Sequence, residues 1–472
     1  MKHLKRILII FIGALLIICN TEVNVFAEES ENDSREKNPT QILTVDSDMP
    51  IDYMCFELLG IYHVENAITI ENTRAGGYWY LLENGRWRYY YNDGGYACNA
   101  WAFIDGYWYL FDPSGYMFTG WASENGNVYY LNAESPGLGQ MVIGWKYIVS
   151  APDGSRSWYY FNQSGAMVTG WQYLPYNGYN NWYYFLPNGT MYTGWLIHNN
   201  NKYYLKPSGA MVTGWNVIDG YSYFFDSSGH LKETKRRAII VGDDSVERSM
   251  DLAGWSNTLS HMTFLDEDFE RIEMDADLSY SEFYYLLDDV MSDSEESDIT
   301  YLSITCHGSQ QGGLYLCPDI TISGYLLRLI LDQYEGKVVL FLNCCYAGTI
   351  INRTDSPSPE MEFLSEFLSE TDSGELLDEK YLVLCSSAYD ELSYKYPLPD
   401  LSLIYIAYAN QYWTLGGGWD LLNNTLTTMN ADANEDSIVT LNELYNYSYS
   451  NISSQHIVVY PANSEFTIFA RN

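Results

Sequence analysis

The sequence predicts a multidomain chain: a β-hairpin solenoid of aromatic repeats, followed by an α/β domain with a mainly parallel sheet. Three observations point there. Gly-Trp pairs recur at 120–121, 144–145, 170–171, 194–195 and 214–215, a spacing of 20 to 26 residues that marks stacked small units. From Arg237 onward, short apolar runs stopped by Gly alternate with stretches of helical spacing, the pattern of strands joined by crossover helices. The length, 472 residues, exceeds what a single core accommodates.

Taken in order, the chain opens with Lys2, Lys5 and Arg6, an apolar run from Ile7 to Cys19, and Val25-Phe-Ala27. This reads as a secretory signal over residues 1–27, cleaved after Ala27. Thirteen apolar residues are too few to span a bilayer, so no membrane span is expected after cleavage. Residues 28–74 form an acidic, flexible leader up to Met49 and then an unassigned stretch with room for a degenerate first repeat. The net charge of −37 excludes nucleic acid and anionic membranes as partners, because both would repel the chain. Between Ala75 and His230 there are only nine Asp/Glu against six Lys/Arg, so the excess lies elsewhere. The 45 Tyr and 14 Trp concentrate in that near-neutral middle, which points to an aromatic binding surface. Of eight cysteines, Cys19 falls in the signal, and the odd remainder argues against a disulfide framework. Cys55, Cys98, Cys317 and Cys385 read as buried thiols.

Residues 75–232 repeat an aromatic strand (Trp158-Tyr-Tyr-Phe161, Trp182-Tyr-Tyr-Phe185, Tyr203-Tyr-Leu205), a Gly-containing turn (Asn162 to Gly165, Pro187 to Gly189, Pro207 to Gly209), and a second short strand ending in Thr-Gly-Trp. Each is expected to be a hairpin that buries its aromatic face only by stacking on its neighbours. The pattern resembles the choline-binding and related cell-wall-binding repeats of Gram-positive bacteria. That resemblance implies aromatic cages between consecutive repeats that hold wall choline, with Trp121, Trp145, Trp158, Trp171, Trp182, Trp195 and Trp215 as ligand-binding residues. A quaternary ammonium has no hydrogen to donate, so cation–π and apolar contact must recognise it. Tyr129, Tyr203 and Ser222 depart from the choline pattern, which leaves wall polysaccharide as the alternative ligand. The same aromatics could also serve only to hold the hairpins together.

Residues 233–472 open with the strand Arg237-Ala-Ile-Ile-Val-Gly242. Leu252, Trp255 and Leu259 then mark a helix face, and Phe269 to Met274 a strand. Ser279-Tyr-Ser-Glu282 is a capping box before Phe283, Leu286, Leu287 and Val290. The acidic run Asp293 to Asp298 reads as a solvated loop. Two apolar strands follow, Ile299 to Thr305 and Val338 to Leu342, with helical spacing between them from Ser323 to Gln333. A strand at Tyr381 to Cys385 and a helix from Leu401 to Trp413 complete the pattern.

The two central strands end in Cys306-His307-Gly308 and Asn343-Cys344-Cys345-Tyr346-Ala347-Gly348. Joined by a crossover helix, they run parallel and bring these ends to one rim of the sheet. The two motifs resemble the catalytic signatures of caspase-like cysteine peptidases, the group of caspases, legumain, clostripain and gingipains. The resemblance implies a protein or peptide substrate, Cys345 as the nucleophile and His307 as its partner, with the N–H groups of Gly308 and Cys345 stabilising the oxyanion. Adjacent residues at a strand end face opposite ways, so only one of Cys344 and Cys345 can look toward His307. Asn343 stands where relatives that cleave after Arg or Lys carry an acid; Asp390 or Glu391 are either substitutes for it or ordinary surface acids. Zinc ligation by Cys306, His307, Cys344 and Cys345 is the weaker reading, since paired C-x-x-C spacing is absent.

Asp432, Asn434, Asp436, Thr440 and Glu443 match positions of a calcium loop, with Ser437 where Gly is wanted. The cofactor this allows is calcium, with Asp432, Asn434, Asp436 and Glu443 as metal ligands. The alternative is an acidic surface loop before a helix. No organic cofactor is expected. The whole reads as a secreted cysteine endopeptidase, attached non-covalently to the bacterial cell wall. A wall-binding protein or adhesin with an inactive caspase-like domain is the alternative.

Overall fold

The structure is a computed structural model that describes residues 42–45, 57, 59–70, 76–150, 154–242, 269–309, 313–317, 321–344, 380–385, 432–434, 436, 438–451 and 458–470. The signal segment, the expected helices around Trp255 and from Leu401 to Trp413, and Cys55, Asp390 and Glu391 lie outside these residues. The chain divides into two compact units, residues 1–29 with 38–212, and residues 30–37 with 213–472. The last Gly-Trp hairpin therefore belongs to the second unit, whereas the sequence places the boundary at 232. No described helix is long and apolar enough to cross a membrane.

The first unit is a run of antiparallel hairpins whose first strand starts at Gly-Trp and whose second carries the aromatic triplet. Gly120–Glu124 pairs with Asn127–Leu131, Gly170–Tyr176 with Tyr179–Phe185, and Gly194–His198 with Asn201–Leu205. This corrects the sequence reading by half a repeat. The hairpin turns are the two-residue loops Asp105-Gly106, Asn125-Gly126 and Asn177-Gly178, each with both residues at positive φ. That is the type I′ geometry matching strand twist, which Asn-Gly and Asp-Gly favour. The Asn162 to Gly165 turn exists too, closed by Gly165 N–H donating to the Asn162 carbonyl at 2.9 Å. It leads only to an isolated bridge between Phe161 and Met167.

Successive repeats lock through these bridge methionines. A Cβ built on Gly139, Gly165, Gly189 or Gly209 would lie 2.1–2.4 Å from the sulfur of Met117, Met141, Met167 or Met191, each one repeat earlier. Across each hairpin the Gly-Trp indole meets the opposite ring edge-on, as in Trp121–Tyr130 at 4.9 Å and Trp195–Tyr204 at 5.1 Å.

Leu43–Val45 of the leader expected to be flexible, and two segments of the unassigned stretch after it, are ordered against this stack. Leu43–Val45, Tyr62–His63 and Ile68–Ile70 add parallel strands to the Gly194, Gly120 and Ala100 strands respectively. Leu43, Tyr62, Val64 and Ile70 pack into the repeat cores, which explains their apolar character in an otherwise acidic stretch. Ser123 Oγ lies 2.7 Å from His63 Nδ1, and His63 Nε2 lies 2.7 Å from Glu57 Oε1. Hydroxyl, imidazole and carboxylate in that order resemble a hydrolytic triad. The Ser123 strand is paired along both edges, however, which leaves its amides no freedom to hold an oxyanion. The three groups act as a clasp.

The second unit is built on a six-stranded sheet of β1 (Arg236–Gly242), β2 (Phe269–Ala276), β3 (Ile299–Thr305), β4 (Lys337–Asn343), β5 (Tyr381–Cys385) and β6 (Val458–Tyr460), in the order β2-β1-β3-β4-β5-β6. All pairs are parallel except β5 with β6. Helix α1 (Tyr280–Met291) starts at the expected capping box, with Ser279 accepting from the Glu282 N–H, and α2 (Gly324–Leu331) is capped by Ser323. Phe283, Leu287 and Val290 of α1 and Leu327, Ile330 and Leu331 of α2 share a core with Ile239, Val241, Leu302, Ile304, Leu340 and Leu342. Alternate residues on the other face, such as Ile240, Val339, Phe341 and Leu384, are buried as well, and there the Tyr301 hydroxyl donates to the Ile468 carbonyl at 3.1 Å.

Asp298 is not solvated, contrary to the loop expected there. It is buried, pairs with buried Arg237 at 3.0 Å, and accepts from the Glu295 and Lys235 N–H groups. A fully buried guanidinium needs such a partner. Cys317 and Cys385 are buried as expected, but Cys98 is exposed. The Gly214–Ile218 and Tyr221–Phe225 hairpin packs Trp215 edge-on against Phe466 at 5.3 Å, and Ser222 exchanges hydrogen bonds with Thr467. Phe466 thus fills the place a further repeat's tyrosine would take.

Candidate functional site

The aromatic site grows from one register. In the hairpins the residue three places beyond the initial Gly pairs with the residue three places before the last one: Tyr147 with Trp158, Tyr173 with Trp182, Ser123 with Val128, and Ile197 with Lys202. Where that second-strand position is Trp158 or Trp182, three rings converge. Trp145 stands 6.3 Å from Trp158 and 4.8 Å from Tyr183 of the following hairpin, both near perpendicular. Trp171 repeats the geometry with Trp182 at 6.5 Å and Tyr203 at 4.9 Å. The indole N–H of Trp145 donates to the Pro175 carbonyl at 2.9 Å, which sets its ring plane. Burial pushes the Tyr183 hydroxyl pKa up, so this wall of the site stays neutral.

The seven predicted tryptophans divide by exposure. Trp158 and Trp182 are 38% and 44% exposed, and Trp145 and Trp171 are half-buried beside them. Trp121, Trp195 and Trp215 are only 3–5% exposed, though Trp215 lines a cavity with Phe224, Tyr334 and Lys337. In their hairpins the register position held elsewhere by Trp158 or Trp182 is taken by Val128, Lys202 and Ser222, so the exposed third ring is missing in each case. Sequence reasoning missed Tyr183 and, in the earlier hairpin, Trp108, which occupies the same register opposite Phe103. Counting three residues back from the end of each aromatic strand would have found Trp108.

The second candidate lies at the C-terminal rim of the sheet. Parallel pairing of β3 with β4 sets Thr305 opposite Asn343, the last residue of each strand; His307 and Cys345 each follow two positions later in the sequence. His307 is exposed and begins a short hairpin, His307–Gly308 against Gly313–Tyr315. Ser309 N–H donates to the Gly313 carbonyl at 2.9 Å, which makes that pair a bonded one. By antiparallel alternation Gly308 and Leu314 form the non-bonded pair, and the Gly308 N–H turns away from the hairpin. Cys306 and Cys344, one residue short of the predicted pair, are buried in the core under the rim. Burial first, and the nearby Cys344 second, pushes the Cys385 thiol pKa well up, which keeps it protonated and inert. Cys345 lies outside the described residues.

Asp432, Asn434, Asp436 and Glu443 are tied into the backbone of their own loop and the helix that follows. Asp432 and Asn434 both accept from the Asp436 N–H, at 3.1 and 2.9 Å. Glu443, the twelfth-position residue, accepts instead from the Thr440 N–H and hydroxyl and caps α3 (Leu441–Asn451). Among the described residues no group of three His, Cys, Asp or Glu side chains is placed to hold a metal.

Comparison with known proteins follows the aromatic register. A choline-binding repeat family matches residues 98–144 and 177–213, and a cell wall binding repeat family matches 155–167. The chain thus carries choline-binding repeats. Similar solved structures include choline binding protein F from Streptococcus pneumoniae, in the presence of a tetrasaccharide-pentapeptide peptidoglycan analogue. It is 34% identical over 34% of this chain and 53% of that one, with a TM-score of 0.28. CbpJ from Streptococcus pneumoniae TIGR4 is 33% identical over 34% of this chain and 53% of that one, TM-score 0.28. The modular autolysin LytC from Streptococcus pneumoniae, in complex with a synthetic peptidoglycan ligand, is 19% identical over 57% and 73%, TM-score 0.27. The match to the first of these spans about half of its length. No curated protein matches the chain.

Proposed function

We propose that the protein is a secreted cysteine endopeptidase retained at a bacterial cell wall by quaternary ammonium groups bound in its repeats. On the repeat side, support comes from the family match and from the two open ring sets, Trp145/Trp158/Tyr183 and Trp171/Trp182/Tyr203. A trimethylammonium group seated among three such rings is attracted to their faces and needs no hydrogen-bond acceptor.

The catalytic reading is supported by one observation, the parallel pairing of Thr305 with Asn343, the strand-end residues that precede His307 and Cys345 by two positions in the sequence. In this reading the Cys345 thiolate attacks the scissile carbonyl and His307 delivers a proton to the leaving amine. The Gly308 N–H, turned out of its hairpin, donates to the oxyanion. Water then releases the acyl group from Cys345, with His307 taking its proton. No step passes through a metal.

The test combines two measurements on the full chain. A fluorogenic peptide panel offering Arg, Lys, Asp or Asn before the scissile bond is expected to show cleavage that Cys345→Ala abolishes and Cys344→Ala retains. Pelleting with purified walls is expected to be competed by free choline. Absence of cleavage with intact pelleting leaves a wall-binding protein, and cleavage that survives Cys345→Ala refutes the nucleophile.

A further inference from the structure

Not every repeat offers its rings to a ligand, and the register says which do not. Lys202 occupies in its hairpin the place that Trp158 and Trp182 hold in theirs. Its ammonium lies 4.5 Å from the centroid of the Trp195 ring. The Lys202 side chain thus rests on an indole whose counterparts, Trp145 and Trp171, stay open in their own hairpins.

We propose that Lys202 is a built-in seal: its ammonium holds the Trp195 ring against exogenous quaternary ammonium. The second-strand residue of each hairpin then decides whether that repeat binds ligand. The inference rests on the reading of the repeats as quaternary ammonium sites. Its physical basis is competition between a tethered and a free cation. The tethered one is present at an effective concentration on the order of millimolar or more, so a free ligand of modest affinity does not displace it. Trp at the position opens the site, as at 158 and 182. Lys202 closes it with charge, and Val128 leaves it without a third wall.

Choline bound per chain, measured by equilibrium dialysis of the full-length protein and of Lys202→Trp, tests this. The variant is expected to bind one further equivalent, with the affinity of the existing sites unchanged. Unchanged stoichiometry in a folded Lys202→Trp overturns the seal. A second readout does not depend on choline: in protein carrying isotope-labelled lysine, the Lys202 ε-methylene signals are expected upfield of other lysines through the Trp195 ring current. They are assigned by their loss in Lys202→Met, and Lys202 signals at the ordinary position overturn the contact itself. If neither chain binds choline, the proposal falls together with the reading of the repeats. A persisting upfield shift would then show that the ligand, and not the ring–ammonium contact, was misjudged.

Discussion

Replacing Gly189 by Ala tests how the repeats are locked together. Gly189 has φ +77°, and a Cβ there would lie 2.1 Å from Sδ and 2.7 Å from Cε of Met167, which is itself buried. Two costs combine. An alanine held in the left-handed region costs about 1–2 kcal/mol, and displacing a packed neighbour costs about 1–3 kcal/mol, so the loss is expected at about 2–5 kcal/mol. Gly178→Ala is the control: its φ is +88° but nothing lies within 4 Å of the added methyl, so only the first cost of about 1–2 kcal/mol applies. Urea unfolding of the full chain, followed by near-ultraviolet circular dichroism, reads the repeats because the aromatic residues concentrate there. Met167→Ala in the Gly189→Ala background should lose less than the sum of the single changes. Equal losses at 189 and 178, or additive behaviour with Met167, would refute the interlocking.

Asp298→Ala removes the buried partner of the Arg237 guanidinium and leaves it the exposed carboxylates of Glu270 at 3.3 Å and Asp293 at 3.2 Å; the loss in the second unit should be at most about 3–5 kcal/mol, and one below about 1 kcal/mol in denaturant unfolding counts against the pair. Trp182→Leu is expected to weaken retention on a choline resin about 2- to 30-fold, the range of one cation–π contact. Trp121→Leu should leave the retention of folded protein unchanged, and loss of binding there would restore Trp121 to the site. Glu443→Ala should cost about 1 kcal/mol through the lost cap, to the same extent with or without calcium; calorimetric heat on adding calcium, abolished by this change, would overturn the capping assignment. Burial, opposed by a hydrogen bond with the Leu43 backbone, pushes the Tyr192 hydroxyl up to about 12. A folded-state value above the ordinary one near 10 gives a contribution that is complete below pH 10 and lost as pH rises toward 12. Amide exchange over Leu43–Val45 should therefore accelerate in that window, and acceleration no greater in wild type than in Tyr192→Phe would count against it.

Much of this protein was legible from local pattern. The Gly-Trp period, the strands β3 and β4 with their motif-bearing ends, and the Ser279 capping box each depend on residues close in the chain, where spacing alone dictates conformation. The type I′ turns were equally legible in Asn125-Gly126 and Asn177-Gly178, and were passed over in favour of the Gly at 165, 189 and 209. Only the tertiary structure decided the rest. Whether a tryptophan is open like Trp182 or covered like Trp195 depends on which residue faces it across a hairpin and what that side chain carries, as Lys202 does. Asp298 could not be told from its acidic neighbours until Arg237, 61 positions earlier, was brought beside it. Glu443 matched a metal-ligand position in sequence, yet the nearest donors, the Thr440 N–H and hydroxyl, took its carboxylate first. In each case a long-range or competing contact outweighed the local signal. Such contacts exist only once the chain has paid the entropy of folding.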